Sequence, residues 1–359
     1  MNCTTMLQKA MAVACMILAI ASCKKDKDPV IIIPPSSGST LQLDGGTGGA
    51  AAINAVFVDF SADKQTPVLR DSWDLGFYCG SDFKVTINLT NGAAAVAVNK
   101  TDINTVTAAD FDRDTLRVGL DGMSVVGSFA VIDDTREPNI LNKTVIAAVS
   151  ANDADNKVYI LNRKGGDASA ADANLYKIRI LRKGNGYTLQ YAKLAETTFK
   201  TLEIDKETDF NFRFASLVSG TIVNVEPAKA NWDLVWSWSM YYTGPFPYAF
   251  SDFVAINNIG GAAAFERVYA SDEAAADAYA KFNKDSAAQY TFSSRRDAIG
   301  TTWRRTAAPG ATLPAGVYKT KFYVVRDGSG NLYKLKFLSF TSEDGGTRGK
   351  PQIEYTLIH

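Results

Sequence analysis

Four short motifs occur twice along this 359-residue chain, in the same order. Asp71-Ser72-Trp73-Asp74-Leu75 returns as Ala230-Asn231-Trp232-Asp233-Leu234. Ile87-Asn88, followed by Gly92-Ala93-Ala94-Ala95, returns as Ile256-Asn257, followed by Gly261-Ala262-Ala263-Ala264. Val158-Tyr159-Ile160-Leu161 and then Leu175-Tyr176-Lys177-Ile178 return as Phe322-Tyr323-Val324-Val325 and Leu332-Tyr333-Lys334-Leu335. The copies keep a spacing of roughly 160 residues, and a period that long means two domain-sized units, not a solenoid of short ones. The copies are expected to meet near Asp205, which divides the chain into domains over 43–204 and 205–359.

Local patterning points to strands. Leu175 to Leu181 sets Tyr176, Ile178 and Ile180 against Lys177 and Arg179, a period of two. Arg326-Asp327-Gly328-Ser329-Gly330-Asn331 separates two apolar runs and reads as a hairpin turn, and Lys183-Gly184-Asn185-Gly186 plays the same part in the first copy. Helix is scarce. Its best case runs from Ser271 to about Asn283, with Ser271 as N-cap, Asp272 and Glu273 suited to the positive helix start, and alanines after them. The expected fold class is mainly β: two tandem antiparallel domains with few short helices.

The N-terminus has the three parts of a secretory signal. Lys9 marks a short charged region, Ala10 to Ile20 is apolar, and Ile20-Ala21-Ser22-Cys23 looks like a lipobox. The reading is a lipoprotein signal peptide over 1–22, cleaved before Cys23, with lipid attached to that thiol. A membrane-spanning helix would need about 20 apolar residues, and the run is roughly half that. Two or more acyl chains on the cysteine give stable anchoring. Residues 23–42 read as a tether. Lys24-Lys25-Asp26-Lys27-Asp28 is similar to the charged signal that sends some lipoproteins to the cell surface, although any charged linker would look the same. Val30 to Ile33 could add a short β-segment before Pro34-Pro35 and Ser36 to Ser39. The expected location is the outer membrane, lipid-anchored and exposed at the surface.

Composition removes several classes of function. Lys+Arg and Asp+Glu each total 38, and no basic stripe supports a nucleic-acid partner. Of four cysteines, Cys3 and Cys15 leave with the signal and Cys23 carries lipid, so Cys79 has nothing to pair with and reads as a small buried hydrophobe. His359, the last residue, is the only histidine, which leaves no base for a Ser-His-Asp or Cys-His system and no His-rich zinc site. No phosphate loop or nucleophile elbow occurs. A binding protein, not an enzyme, is the expected class. Asp74 and Asp233, each after a Trp, are expected to hold backbone hydrogen bonds.

These residues resemble the HmuY family of haem-binding surface lipoproteins. The resemblance rests on the two Trp-Asp-Leu strands, the Gly-Ala runs, the two late hairpins and the terminal strand Gln352 to Ile358, with the second copy the better match. It implies a predominantly β fold. It also implies capture of haem from host haemoproteins and transfer to an outer-membrane receptor, with iron held by two His or two Met side chains. The mature chain offers no internal His and only Met123 and Met240, one per copy.

The most unusual stretch is Trp232 to Phe250. As a strand it would place Trp232, Leu234, Trp236, Trp238, Met240 and Tyr242 on one face and Asp233, Val235, Ser237 and Ser239 on the other. The first copy has Trp73, Leu75, Phe77 and Cys79 at matching positions and lacks the extension. Core packing accounts for Trp232 and Leu234. For Trp236, Trp238, Met240, Tyr241, Tyr242, Phe246 and Tyr248 three ligand readings stand beside a core reading: a porphyrin, with Met240 as a soft axial ligand or a Tyr phenolate in its place; stacking on sugar rings; or contact with a partner protein. The expected function is haem or porphyrin binding for uptake. The alternative is a non-haem adhesion module for glycan or protein.

Overall fold

The computed structural model describes residues 34–122, 124–307 and 313–359. Cys23, the signal peptide, Val30 to Ile33 and Met123 lie outside them. The residues from Pro35 to His359 form one compact unit. Among the described residues no helix is long and apolar enough to cross a membrane.

The same plan of antiparallel sheets is laid down twice. One lobe has a five-stranded sheet in the order β12 (Lys200–Ile204), β11 (Gly186–Lys193), β10 (Leu175–Lys183), β9 (Tyr159–Asn162), β6 (Ala94–Ala97). Beside it runs a four-stranded sheet, β14 (Thr221–Val223), β13 (Phe212–Ser216), β4 (Leu75–Tyr78), β5 (Val85–Ile87). The other lobe repeats both orders with β1 (Gly38–Gln42), β22 (Gln352–Leu357), β21 (Leu332–Ser339), β20 (Lys321–Arg326), β17 (Ala263–Val268), and with β3 (Lys64–Leu69), β2 (Asn54–Asp59), β15 (Leu234–Thr243), β16 (Phe246–Ile256). Two small ribbons complete the described strands: β7 (Gly119–Asp121) with β8 (Ser124–Val126), and β18 (Arg304–Arg305) with β19 (Gly316–Val317). The fold is mainly β, as the alternation predicts.

The two copies exchange their first three strands. β1 to β3 sit in the sheets of the second copy, where Leu234 pairs with Val58 and Leu41 with Ile353. β12 to β14 complete the sheets of the first copy, where Phe212 pairs with Tyr78 and Leu189 with Leu202. A cut at Asp205 therefore runs through an exchanged segment: β13 and β14 lie beyond it and pair with strands before it. Gly38–Gln42, inside the stretch read as tether, is also ordered as a strand, because the open edge of β22 offers its backbone groups a ladder.

The repeated motifs make the same hydrogen bonds in both copies. Asp74 Oδ2 accepts from the Leu217 N–H at 2.7 Å, and Asp233 Oδ2 accepts from the Phe60 N–H at 2.7 Å. Asn88 Nδ2 donates to the Trp73 carbonyl at 2.8 Å, and Asn257 Nδ2 to the Trp232 carbonyl at 2.9 Å. Each Asp thus ties the exchanged hairpin to the strand it joins. Each Trp meets a Phe of an exchanged hairpin edge-on, Trp73 with Phe214 at 4.8 Å and Trp232 with Phe57 at 5.1 Å. Leu75, Phe77, Ile160 and Leu189 fill one lobe's core, and Leu234, Trp236, Trp303 and Tyr355 fill the other's.

Helix α1 (Asp272–Lys281) starts where expected, with Ser271 Oγ accepting from the Ala274 N–H at 3.2 Å. It ends two residues short of Asn283. That side chain caps the next short helix, α2 (Lys284–Ala287), accepting from the Ser286 N–H at 2.9 Å. An Asn that can satisfy a new helix start competes with continuing the old one.

The equivalent aspartates differ in charge balance. Asp74 has Arg163 at 2.7 Å, whereas no cation acts on Asp233, whose carboxyl burial pushes up to about 7. Burial likewise pushes Asp133 up to about 7 and Glu226 up to about 8. For such acids the folded state holds protons that the unfolded chain releases near pH 4, so stability is full at acid pH and falls as pH rises toward the folded value. Urea midpoints are therefore expected to fall between pH 4.5 and 7.5, with Asp233→Asn removing part of the slope; a parallel pH profile in that variant would refute the assignment.

Candidate functional site

The aromatic stretch forms a long hairpin whose two strands slip against each other. Ser237 faces Phe253 but Ser239 faces Phe250, so β16 carries an extra residue there, and Asp252 takes the left-handed conformation at φ 59°. A bulge increases local twist and bends the ribbon. As a result the expected single wall of indoles is divided. Leu234 and Trp236 enter the core of their own lobe. Trp232 packs in the cluster between lobes, and Trp238, Met240 and Tyr242 lie against the core of the other lobe. The extension absent from the first copy is an arm laid across its neighbour.

Burial sorts the candidate residues. Met240 is fully buried, and a Cβ added to Gly166 would sit 3.4 Å from its sulfur and 2.9 Å from the Trp238 ring. The thioether therefore fills a core position against bare backbone. Trp236 is buried, and Trp238 is half-buried beneath the Arg70 guanidinium, 4.9 Å from its ring. Tyr241 donates its phenol proton to Asp297 at 2.5 Å, and burial with that carboxylate drives its pKa far above the ordinary tyrosine value. A phenolate there is strongly disfavoured. Tyr242 and Tyr248 are half-buried, and Phe246 at the arm's tip is 46 % exposed. Phe246 is thus the exposed candidate, while Trp238, Tyr241, Tyr242 and Tyr248 are half-buried. Cys79 is buried, its S–H directed at the Phe77 carbonyl, and burial pushes its thiol pKa up.

A roomier site lies where helix α1 crosses the outer face of β20, β21 and β22. This groove encloses about 590 Å³. Tyr279, Phe322 and Phe337 supply apolar wall, and Lys319, Lys321, Lys334 and Lys336 stand around it with Asp272 and Glu354. Four lysines face two lining carboxylates, and Glu266 just outside the lining pairs with Lys321, so a surplus of one positive charge remains. Lys321 pairs with Glu266 at 2.6 Å and Lys336 with Glu354 at 2.8 Å, while Lys334 donates to the Tyr279 carbonyl at 2.6 Å. Burial and then the nearby Lys336 hold the Lys334 amine below its ordinary pKa, so an incoming anion would be welcomed by both. The first copy has a smaller groove of about 400 Å³ at the corresponding place, with Lys177, the partner of Lys334 in the repeat, donating to the Glu196 carbonyl at 2.7 Å.

Sequence reasoning passed over this groove. The signal was present in β21, where Lys334 and Lys336 alternate with Tyr333, Leu335 and Phe337. Alternating lysines read as a solvated face until a helix is known to cover it.

The iron porphyrin implied by the resemblance can be tested against these side chains. His359 is exposed at the chain end, and Met240 is packed on all sides. Among the described residues no cluster of His, Cys, Asp or Glu could hold a metal ion. Among the described residues there is no pair of axial His or Met ligands, and Met123 lies outside them. A flat, carboxylate-bearing ring does fit the large groove by volume and charge, since ligand pockets run from about 300 to 1,000 Å³. Comparison with known families matches the model described as HmuY protein over residues 52–355. No curated protein and no solved structure matches the chain.

Proposed function

The chain belongs to the HmuY family of haem-binding surface proteins, and from that premise we propose that it binds haem or a related porphyrin for uptake without chemically changing it. It does so as an outer-membrane lipoprotein held by lipid on Cys23, capturing ligand from a host haemoprotein and passing it to an outer-membrane receptor. The supporting observation is the groove beneath α1, whose volume and lysines suit a flat ring bearing two carboxylates. With no axial ligand pair among the described residues, binding rests on apolar contact and the propionate charges. Iron then contributes little.

Haemin and iron-free protoporphyrin are accordingly expected to quench tryptophan fluorescence with affinities within about threefold of each other. Replacing Lys319 and Lys336 together with Ala is expected to weaken both by about tenfold, the scale of 1.4 kcal/mol. No binding of either porphyrin at micromolar protein would sink the proposal. A much tighter haemin complex with a sharpened Soret band, lost on Met240→Ala, would overturn the groove in favour of iron ligation.

A second reading has its own support: the arm carries an exposed Phe246 with half-buried Tyr242 and Tyr248, the composition of a glycan- or protein-contacting edge. Glycan-array binding that disappears with Phe246→Ala and Tyr248→Ala, in a protein that ignores porphyrins, would select it.

A further inference from the structure

Between the two copies, bounded by both exchanged hairpins, lies a second and quite different cavity of about 140 Å³. Its wall is mostly aromatic and aliphatic. Phe57 and Trp232 come from one lobe, Trp73 and Phe214 from the other. Val68, Thr90, Asn258 and Ile259 on its margin are only half-buried, so it is not sealed from solvent.

Three buried polar atoms of lining residues have no hydrogen-bond partner: the Trp232 indole N–H, Arg296 Nη1 and Glu226 Oε2. Trp232 is 6 % exposed. Unpartnered buried donors are rare because each forfeits its hydration for nothing. The guanidinium is the sharper anomaly. Asp133, a fully buried acid that acts on Arg296 less strongly than Asp297 does, already accepts from the Ile87 and Val145 N–H groups at 2.9 Å each. Asp297 is taken by Arg295 at 2.8 Å and by Tyr241. With burial pushing Asp133 to about 7 and Glu226 to about 8, both spend much of their time uncharged near neutrality. A half-buried guanidinium is left with a buried, unpartnered Nη1, beside the spare Trp232 indole N–H and an apolar hollow.

We propose that this cavity binds a small monocarboxylate with a flat apolar body, of the benzoate class, its carboxylate accepting from Arg296 and the Trp232 indole and its ring lying among Trp73, Phe57 and Phe214. The size is right for one ring, since an engineered apolar cavity of about 150 Å³ takes up benzene. A porphyrin is far too large for it, so this site is separate from the groove beneath α1. Its place at the seam means that a bound ligand touches both copies at once and links their packing.

The test uses the full mature chain with benzoate and benzyl alcohol as probes, read by ligand-observed NMR and by tryptophan fluorescence. Saturable benzoate binding is expected. Arg296→Met is expected to weaken benzoate by tenfold or more, the scale of a lost charge-assisted hydrogen bond, while changing benzyl alcohol by less than about threefold. Because that substitution removes a guanidinium whose buried Nη1 is unpartnered, its melting temperature is expected to stay level or rise. Trp232→Phe keeps the ring and removes the N–H, and it is expected to weaken benzoate by a smaller factor, which keeps the idea testable if the Arg296 variant fails to fold. Failure of millimolar benzoate to bind overturns the proposal, as does equal benzoate affinity in the wild type and both variants. So does a crystal structure grown in benzoate that shows only ordered water between Arg296, Trp232 and Glu226. None of these outcomes depends on porphyrin binding.

Discussion

A fragment of residues 205–359 is expected to remain unfolded, although it contains one whole sequence copy. It lacks β1, β2 and β3, which complete both sheets around Trp236 and Tyr355. The lost segment buries Leu43, Val56, Phe57, Val58 and Phe60, each 5 % exposed or less. At about 1.5–3 kcal/mol per buried side chain, their loss removes on the order of 10 kcal/mol. That equals or exceeds the whole stability of an ordinary domain, about 5–15 kcal/mol. The fragment also carries β13 without its neighbour β4, a bare edge that invites aggregation. A fragment of residues 71–231 keeps both sheets of its lobe, β4 to β14, and is expected to retain more cooperative structure. Near-UV circular dichroism and urea titration of both fragments decide the matter. A cooperative transition in 205–359 matching that of the full chain would show that the exchange is dispensable.

The second large effect concerns Arg163. Its Nε lies 2.7 Å from Asp74 Oδ1, with both side chains almost wholly buried, and its Nη2 donates to the Asp71 carbonyl at 3.0 Å. Arg163→Met is expected to cost about 3–5 kcal/mol near pH 8, because it strands a buried carboxylate that also holds the Leu217 N–H. Burial already tends to raise the Asp74 pKa, and Arg163 is the chief group opposing it. Without the Arg, Asp74 resembles Asp233: it takes up a proton in the folded state, and the variant's stability falls as pH rises through that group's folded value. The cost is therefore expected to shrink between pH 8 and pH 5, measured as the gap between urea midpoints of variant and wild type. A cost below 1 kcal/mol, or one that does not change with pH, would refute this role for the pair.

These outcomes bear on how much of the molecule a reader of the chain could foresee. The Trp-Asp-Leu and Asn motifs are local signals, and they marked the duplication because each makes the same hydrogen bonds in both places. The hairpin turns at Gly184-Asn185 and around Asp327, the cap at Ser271 and the alternation in β10 are also local. All appear where the residues place them. Family membership was legible for the same reason.

The site was less legible. Period-two alternation places Trp236, Trp238 and Met240 on one face, but a bulge at Asp252 sends them into different cores, and the residue that causes it lies on the partner strand. The lysines of β21 became a groove only when α1 was laid over them. Arg296 and Glu226 lie 70 residues apart in sequence, and nothing near either announces a shared cavity.

The sequence by itself determined that this chain is a mainly β protein of the HmuY family with repeated short motifs, and with no histidine to anchor iron except at its end. Only the tertiary structure decided which strands complete which sheet, that Met240 is core, and that lysines surround the groove beneath α1. The physical reason is that turns, caps and alternation are set by neighbours within a few residues. Strand exchange, burial of a sulfur and convergence of charges depend on contacts between residues far apart in the chain, which no local pattern encodes.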